Sequence, residues 1–148
     1  MQEKKSLRHA RSPTYKKGLV RIEAILEAAK DVLIIQGYKK MSLRQIAIQA
    51  GITVGNLTYY YPSKEALLKD LIEKILSGYL VEIDRIVKAS GDLAEDRFVA
   101  VVEYLIEDLN TQQTTGFFPE LWALSNHDEH AAEMMEAMYV AERLAINK

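Results

Sequence analysis

The chain has 148 residues, 49% hydrophobic and 27% charged, which is apolar enough for a core and too apolar for a disordered segment. It contains no cysteine, so disulfides, thiolate metal sites and cysteine nucleophiles are excluded. The net charge of −2 conceals an asymmetry: residues 1–64 hold 12 Lys+Arg against 4 Asp+Glu, and residues 65–148 hold 7 against 17. A basic front (+8) joined to an acidic back (−10) points to a polyanion partner at one end; a merely dipolar protein is the alternative.

Apolar residues recur at three- and four-residue steps almost throughout, and no alternating run is evident, so the fold class is all-α. The longest apolar runs, such as 98–102, fall far short of the ~20 residues that span a bilayer. The first twenty residues hold no stretch resembling a secretory leader. A soluble, cytoplasmic protein without membrane contact is expected.

Residues 1–17 read as a flexible basic arm, with Lys4, Lys5, Arg8, His9 and Arg11. A first helix is predicted over 18–36, where Ile22, Ile25, Leu26, Ala29, Val32 and Leu33 form one stripe and Gly37 ends it. Ser42 starts a second, short helix, with Gln45 completing a capping box; that helix ends at Gly51. Thr53 caps a third short helix. Pro62 and Ser63 close it and open a long fourth helix reaching about residue 89. After the Ser90-Gly91 break, Asp92 and Glu95 repeat the capping-box pattern for a fifth helix to about 110. Thr111–Gly116 reads as a polar loop, a short helix follows Pro119, and a last helix covers roughly 129–147.

The informative segment is 42–61, SLRQIAIQAGITVGNLTYYY. Two short helices meet at Gly51, with the small Ala47 four residues earlier. A helix-turn-helix needs that arrangement, because its helices cross closely and its turn needs positive φ. Ile46, Ala50, Ile52 and Leu57 are spaced to pack inward, leaving Val54, Asn56, Thr58, Tyr59 and Tyr60 outward on a helix that would enter the major groove. A helical hairpin inside an ordinary bundle is the bland alternative. Asn56 is the candidate base reader, since its amide pairs two ways with adenine. Arg44 is placed near the groove edge, Ser42 and Thr53 combine capping with phosphate contact, and Lys64 would hold a phosphate with the amides of the fourth helix. Lys16, Lys17 and Arg21 are further candidates for backbone or minor-groove contact, whereas Lys39 and Lys40 read as a solvated turn.

Residues 21–67 resemble the DNA-binding domain of the TetR family of transcriptional regulators. The resemblance rests on a first helix ending in Gly-Tyr, then Ser-Leu-Arg-Gln-Ile-Ala, Ala-Gly-Ile, and Gly-Asn-Leu-x-Tyr-Tyr-Tyr-Pro-Ser-Lys-Glu-x-Leu. Thr58 stands where that family usually has Tyr, and Tyr61 where it has Phe. The resemblance implies phosphate contacts by Tyr59 and Tyr60, a head over 18–78, and a helical regulatory domain over 79–148 that often encloses a small molecule. Tyr104, Trp122 and Met138 are the candidate pocket residues, against the alternative that they are ordinary core. The family usually carries two further dimer-forming helices, so the chain is expected to be C-terminally short or to dimerise otherwise.

No nucleophile elbow, phosphate loop or His/acid pair in a defined context is visible, so no catalytic residue and no cofactor is assigned. His127 and His130 flank Asp128-Glu129, which reads as a helix start rather than a metal site. The expectation is a DNA-binding regulator, acting as a homodimer on a palindromic double-stranded operator and answering to an unknown small-molecule effector. The alternatives are a helical interaction module or anti-repressor that does not bind DNA, and a small-molecule-binding enzyme.

Overall fold

The arrangement is that of a computed structural model, in which residues 13–146 are described. Among them are seven α-helices and no strand: α1 Pro13–Gln36, α2 Leu43–Gln49, α3 Val54–Tyr60, α4 Lys64–Ala89, α5 Ala94–Asp108, α6 Phe118–Ser125 and α7 Glu129–Ile146. A π-helical turn, Gln113–Phe117, leads into α6. The all-α expectation holds. The cationic residues expected of an arm at 4–11 lie outside the described residues.

The first helix begins at Pro13, five residues before the predicted start, so residues 13–17 are helical. Proline suits a first helical turn, where its missing N–H has no intrahelical partner. Most of the predicted caps form. Ser42 accepts from the Gln45 amide (3.3 Å), Thr53 from the Asn56 amide (3.1 Å), Ser63 from the Ala66 amide (3.1 Å) and Asp128 from the Ala131 amide (2.9 Å). Gly37 and Gly51 take φ of +74° and +66°, a region costly for other residues.

Three expectations need correction. The Gln45 side chain reaches back to the Ser42 hydroxyl (2.8 Å) instead of the Ser42 amide, and its Nε2 donates to the Gln36 carboxamide at the end of α1, so the box closes through side chains on one side. Asp92 does not cap α5; Leu93 precedes that helix without a side-chain cap, and the Asp92 carbonyl accepts from Arg97 instead. The predicted polar loop Thr111–Gly116 is mostly the π-helical turn, because Gly116 lies against Ile34 of α1.

Helices α1 to α3 form the head, with Ile25, Ala29, Leu33, Ile46, Ala47 and Leu57 buried together. Helix α4 runs from the head into the body, where it packs against α5 and α7; α6 packs on α7, and the π-turn packs on α1. Lys74 of α4 bridges to Glu27 (3.3 Å) and Glu23 (3.6 Å) of α1. Those pairs are part-exposed and add little beside the apolar seam they flank. The aromatic content of the body divides. Tyr79, Phe117, Phe118, Met135 and Met138 are buried, whereas Phe98, Trp122 and Tyr139 are exposed.

Two predictions follow from this packing. A Cβ on Gly116 would sit 2.6 Å from Ile34 Cγ2, on a stiff β-branched side chain. Gly116→Ala is therefore expected to destabilise by about 1–3 kcal/mol. Gly78→Ala, on an exposed helical site with open space, is expected to stabilise by about 0.5–1 kcal/mol. Thermal unfolding followed by circular dichroism reads both, and equal melting temperatures for the two variants would contradict the packing.

A third prediction concerns pH. Burial pushes the Tyr79 phenol up to about 12, with the Asp108 carboxylate adding to the effect. Burial likewise raises Tyr61, helped by Asp70, and Tyr38, helped by Glu65 and Asp128. The protonated phenols are thus favoured by folding. That stability is fully present below the unfolded value of ~10 and is lost as pH climbs through the raised values. Phenolate absorbance is expected to show these three lagging, with helical signal falling between pH ~10 and about 12 as Tyr79 ionises. Uniform ionisation of all eight tyrosines near ~10 with helix intact would refute this.

Candidate nucleic-acid interface

Helix α3 is seven residues long and presents nearly all of itself to solvent. Leu57 is its one fully buried residue. Thr53, Val54, Gly55, Asn56 and Tyr59 are exposed, Tyr59 at 81%, and Thr58 and Tyr60 are half-buried. The turn before α3 is fixed by backbone bonds from Gly51 N–H to the Ile48 carbonyl (3.1 Å) and from Ile52 N–H to the Ala47 carbonyl (3.0 Å). Ala47 is buried at the crossing, as a close approach of α2 and α3 requires.

The far end of α3 is bolted to α4. Tyr61 N–H donates to the Leu57 carbonyl (2.9 Å), its ring is buried, and its hydroxyl donates to Asp70 of α4 (3.1 Å). The extra hydroxyl at this position therefore has the partner that a buried phenol needs. Thr58 donates its hydroxyl to the Gly55 carbonyl (3.2 Å), a bond back along its own helix. Tyr59 and Tyr60 meet edge to face with ring centroids 5.1 Å apart. Tyr60 packs partly on the core, while Tyr59 stands out from it.

The remaining candidates are distributed around this helix. Ser42 is half-buried at its capping position, and Arg44 is exposed on α2. Lys16, Lys17 and Arg21 are exposed and line a shallow basic groove on α1. Lys64 is half-buried at the start of α4. Its ammonium donates to the Tyr38 carbonyl (3.1 Å) and lies 4.1 Å from the centre of the Tyr38 ring. That bond uses one of its three donors.

The backbone of Tyr38 is also held from the other side. Its N–H donates to the Glu120 carboxylate of α6 (3.1 Å), 82 residues away. The two peptide units that flank the Tyr38 Cα are thus gripped, one by the body and the other by the first residue of α4. Sequence spacing carries no sign of this contact.

In the body, a cleft of about 290 Å³ opens among α4, α5, α6 and α7. Trp122 and Met138 line it; Tyr104 does not, and lies beside Tyr79 with ring centroids 6.3 Å apart. Tyr79, Asp108, Thr114 and Tyr139 also line the cleft and were not singled out from sequence. Among the described residues no helix is long and apolar enough to cross a membrane, and no group of three or more His, Asp or Glu is placed to hold a metal ion.

Comparison with known proteins agrees with this head. Residues 25–71 match the bacterial regulatory proteins of the tetR family. The HTH-type transcriptional regulator RutR of Escherichia coli K12 is 37% identical over 83 residues, covering 56% of this chain and 37% of RutR. The chain spans 37% to 65% of the length of the curated relatives it matches. Among solved structures, SCO7518 of Streptomyces coelicolor, assigned as a transcriptional regulator, superposes with a TM-score of 0.75 at 25% identity, over 85% of this chain and 73% of its own. A regulator structure from Saccharomonospora viridis in complex with choline shares the fold, with a TM-score of 0.72 at 20% identity, over 82% of this chain and 63% of its own. Residues 25–71 thus form a helix-turn-helix head of the type found in the bacterial regulatory proteins of the tetR family.

Proposed function

We propose that this chain is a sequence-specific DNA-binding regulator that acts as a dimer on a two-fold operator and is released by a small molecule. The observation that carries the reading is the exposed polar side of α3, with Thr53, Asn56 and Tyr59 open to solvent over a buried Leu57, in the half of the chain with net charge +8. Docking that side in the major groove aims Asn56 at base edges. It sets the hydroxyls of Thr53, Tyr59 and Tyr60 toward phosphates, with Ser42, Arg44 and Lys64 on the flanks. Val54 and the Thr58 methyl are placed to meet thymine methyls.

A single head reads few base pairs, so a paired head is favoured. The effector reading is supported by the cleft in the body and by the choline held in a protein of the same fold. For release, the effector must prefer the head spacing that does not fit DNA, since a molecule without that preference shifts nothing.

Titration with DNA at several salt concentrations tests the reading. Log affinity is expected to fall by about 0.9 per decade of salt for each phosphate neutralised. Absence of binding at low salt would favour an interaction module instead. Asn56→Ala is expected to cost ~1–3 kcal/mol on the operator and little on random duplex. Equal loss on both would remove Asn56 from base reading. Lys64→Ala is expected to weaken all duplexes alike and lower the salt slope by ~1; an unchanged slope would assign that ammonium to Tyr38 alone.

A further inference from the structure

The cleft in the body has a chemical bias. Helix α5 ends at Asp108, and its last turn carries Glu107 and Asp108 with no basic residue. A carboxylate there adds to the negative end of the helix dipole instead of opposing it. The hydroxyls of Tyr79 and Thr114 both donate to the same Asp108 oxygen and lie 2.8 Å from each other. The raised phenol of Tyr79 keeps that donor protonated. The Thr111 hydroxyl donates to the other Asp108 oxygen (3.5 Å), and none of these three hydroxyls carries a positive charge. Among the described residues lining the cleft Asp108 is the one that carries a charge, and no described Lys, Arg or His forms an ion pair with it.

The walls leading to that charge are aromatic. Tyr79 and Phe118 meet at 5.2 Å, and Phe118 and Trp122 at 6.1 Å between ring centroids. Trp122 Nε1–H donates to the Tyr139 hydroxyl (3.0 Å), which fixes the orientation of the indole. Ring faces attract a cation placed over them, and more strongly when water is excluded. The described lining therefore combines an apolar body, aromatic rings and a carboxylate without a described cationic partner.

We propose that this cleft binds an organic cation with an apolar body, its charge set between Asp108 and the aromatic faces. The proposal rests on the effector reading above and adds the ligand class. A fatty acid or other carboxylate would meet repulsion from Asp108 and the α5 terminus. A bare metal ion would find a single carboxylate where hard cations take several oxygens.

Trp122 is the only tryptophan in the sequence and lines the cleft, so its fluorescence reports occupancy directly. The probes are benzyltrimethylammonium, its uncharged isostere neopentylbenzene, and 3-phenylpropanoate, titrated into the 148-residue chain. The cation is expected to bind at least about tenfold more tightly than either of the others. Asp108→Asn, which keeps an acceptor for both hydroxyls, is expected to abolish that preference while leaving the neutral probe unchanged. If that variant does not fold, the wild-type preference and its weakening by salt still decide. Equal or tighter binding of the neutral or anionic probe, or no response to any of the three, overturns the proposal. Parallel DNA titration separates the two readings. Cation binding without change in DNA affinity overturns effector action and leaves the ligand class standing. DNA release by the neutral or anionic probe alone does the reverse.

Discussion

The fold of the head hangs on how little of α3 is buried. Seven residues give one fully enclosed side chain, Leu57, and a helix of that length has no stability of its own in water. Its orientation is therefore set by its surroundings: Ala47 at the crossing, the Gly51 turn before it, and the Tyr61–Asp70 bond behind it. Each constraint acts at a different point along the helix, and together they remove its freedom to roll. The consequence is an outward side almost free of structural duty, and thus open to contact with another molecule.

Helix α4 joins that head to the body. Its 26 residues extend roughly 39 Å at the helical rise. Lys64 at its start grips the Tyr38 carbonyl, and Tyr79 farther along lines the cleft. Helix α6 makes the same connection from the other side: Phe118 and Trp122 face the cleft, and Glu120 between them accepts from Tyr38 N–H. Bonds to charged groups are stronger than neutral ones, and these two act on the successive peptide units either side of the Tyr38 Cα. A displacement of α6 against α4 would therefore pull on the turn that precedes the helix-turn-helix. Gly37, at φ +74°, takes an angle costly for other residues, and a Cβ there would press on the Glu120 carboxylate at 3.1 Å.

The two ends of the molecule follow opposite electrostatic designs. The head is cationic and exposed, suited to a partner with many charges, where affinity scales with the number of neutralised phosphates. The cleft contains one carboxylate in apolar surroundings, where a single charge weighs more because water is scarce. The −10 of the back half therefore does more than balance the basic front, because Asp108 lies within the cleft.

What could be read from residue order alone was whatever is decided within a turn or two of backbone. The caps at Ser42, Thr53 and Asp128 bond three residues ahead, Gly37 and Gly51 serve backbone angles at their own positions, and the apolar stripe of α4 reflects helical period. The outward side of α3 was legible for the same reason, since the inward side was already spoken for by spacing. Where local signals competed with distant partners, the distant partners won. Gln45 shared its side chain between Ser42 and Gln36, Gly116 accommodated Ile34, Lys64 found Tyr38, and Asp108 was reached by Tyr79 from another helix. Trp122, grouped with Tyr104 and Met138 by composition, came to stand half in solvent beside Tyr139. Those contacts depend on which helices lie side by side, and a pattern with a period of a few residues holds no record of neighbours dozens of positions away.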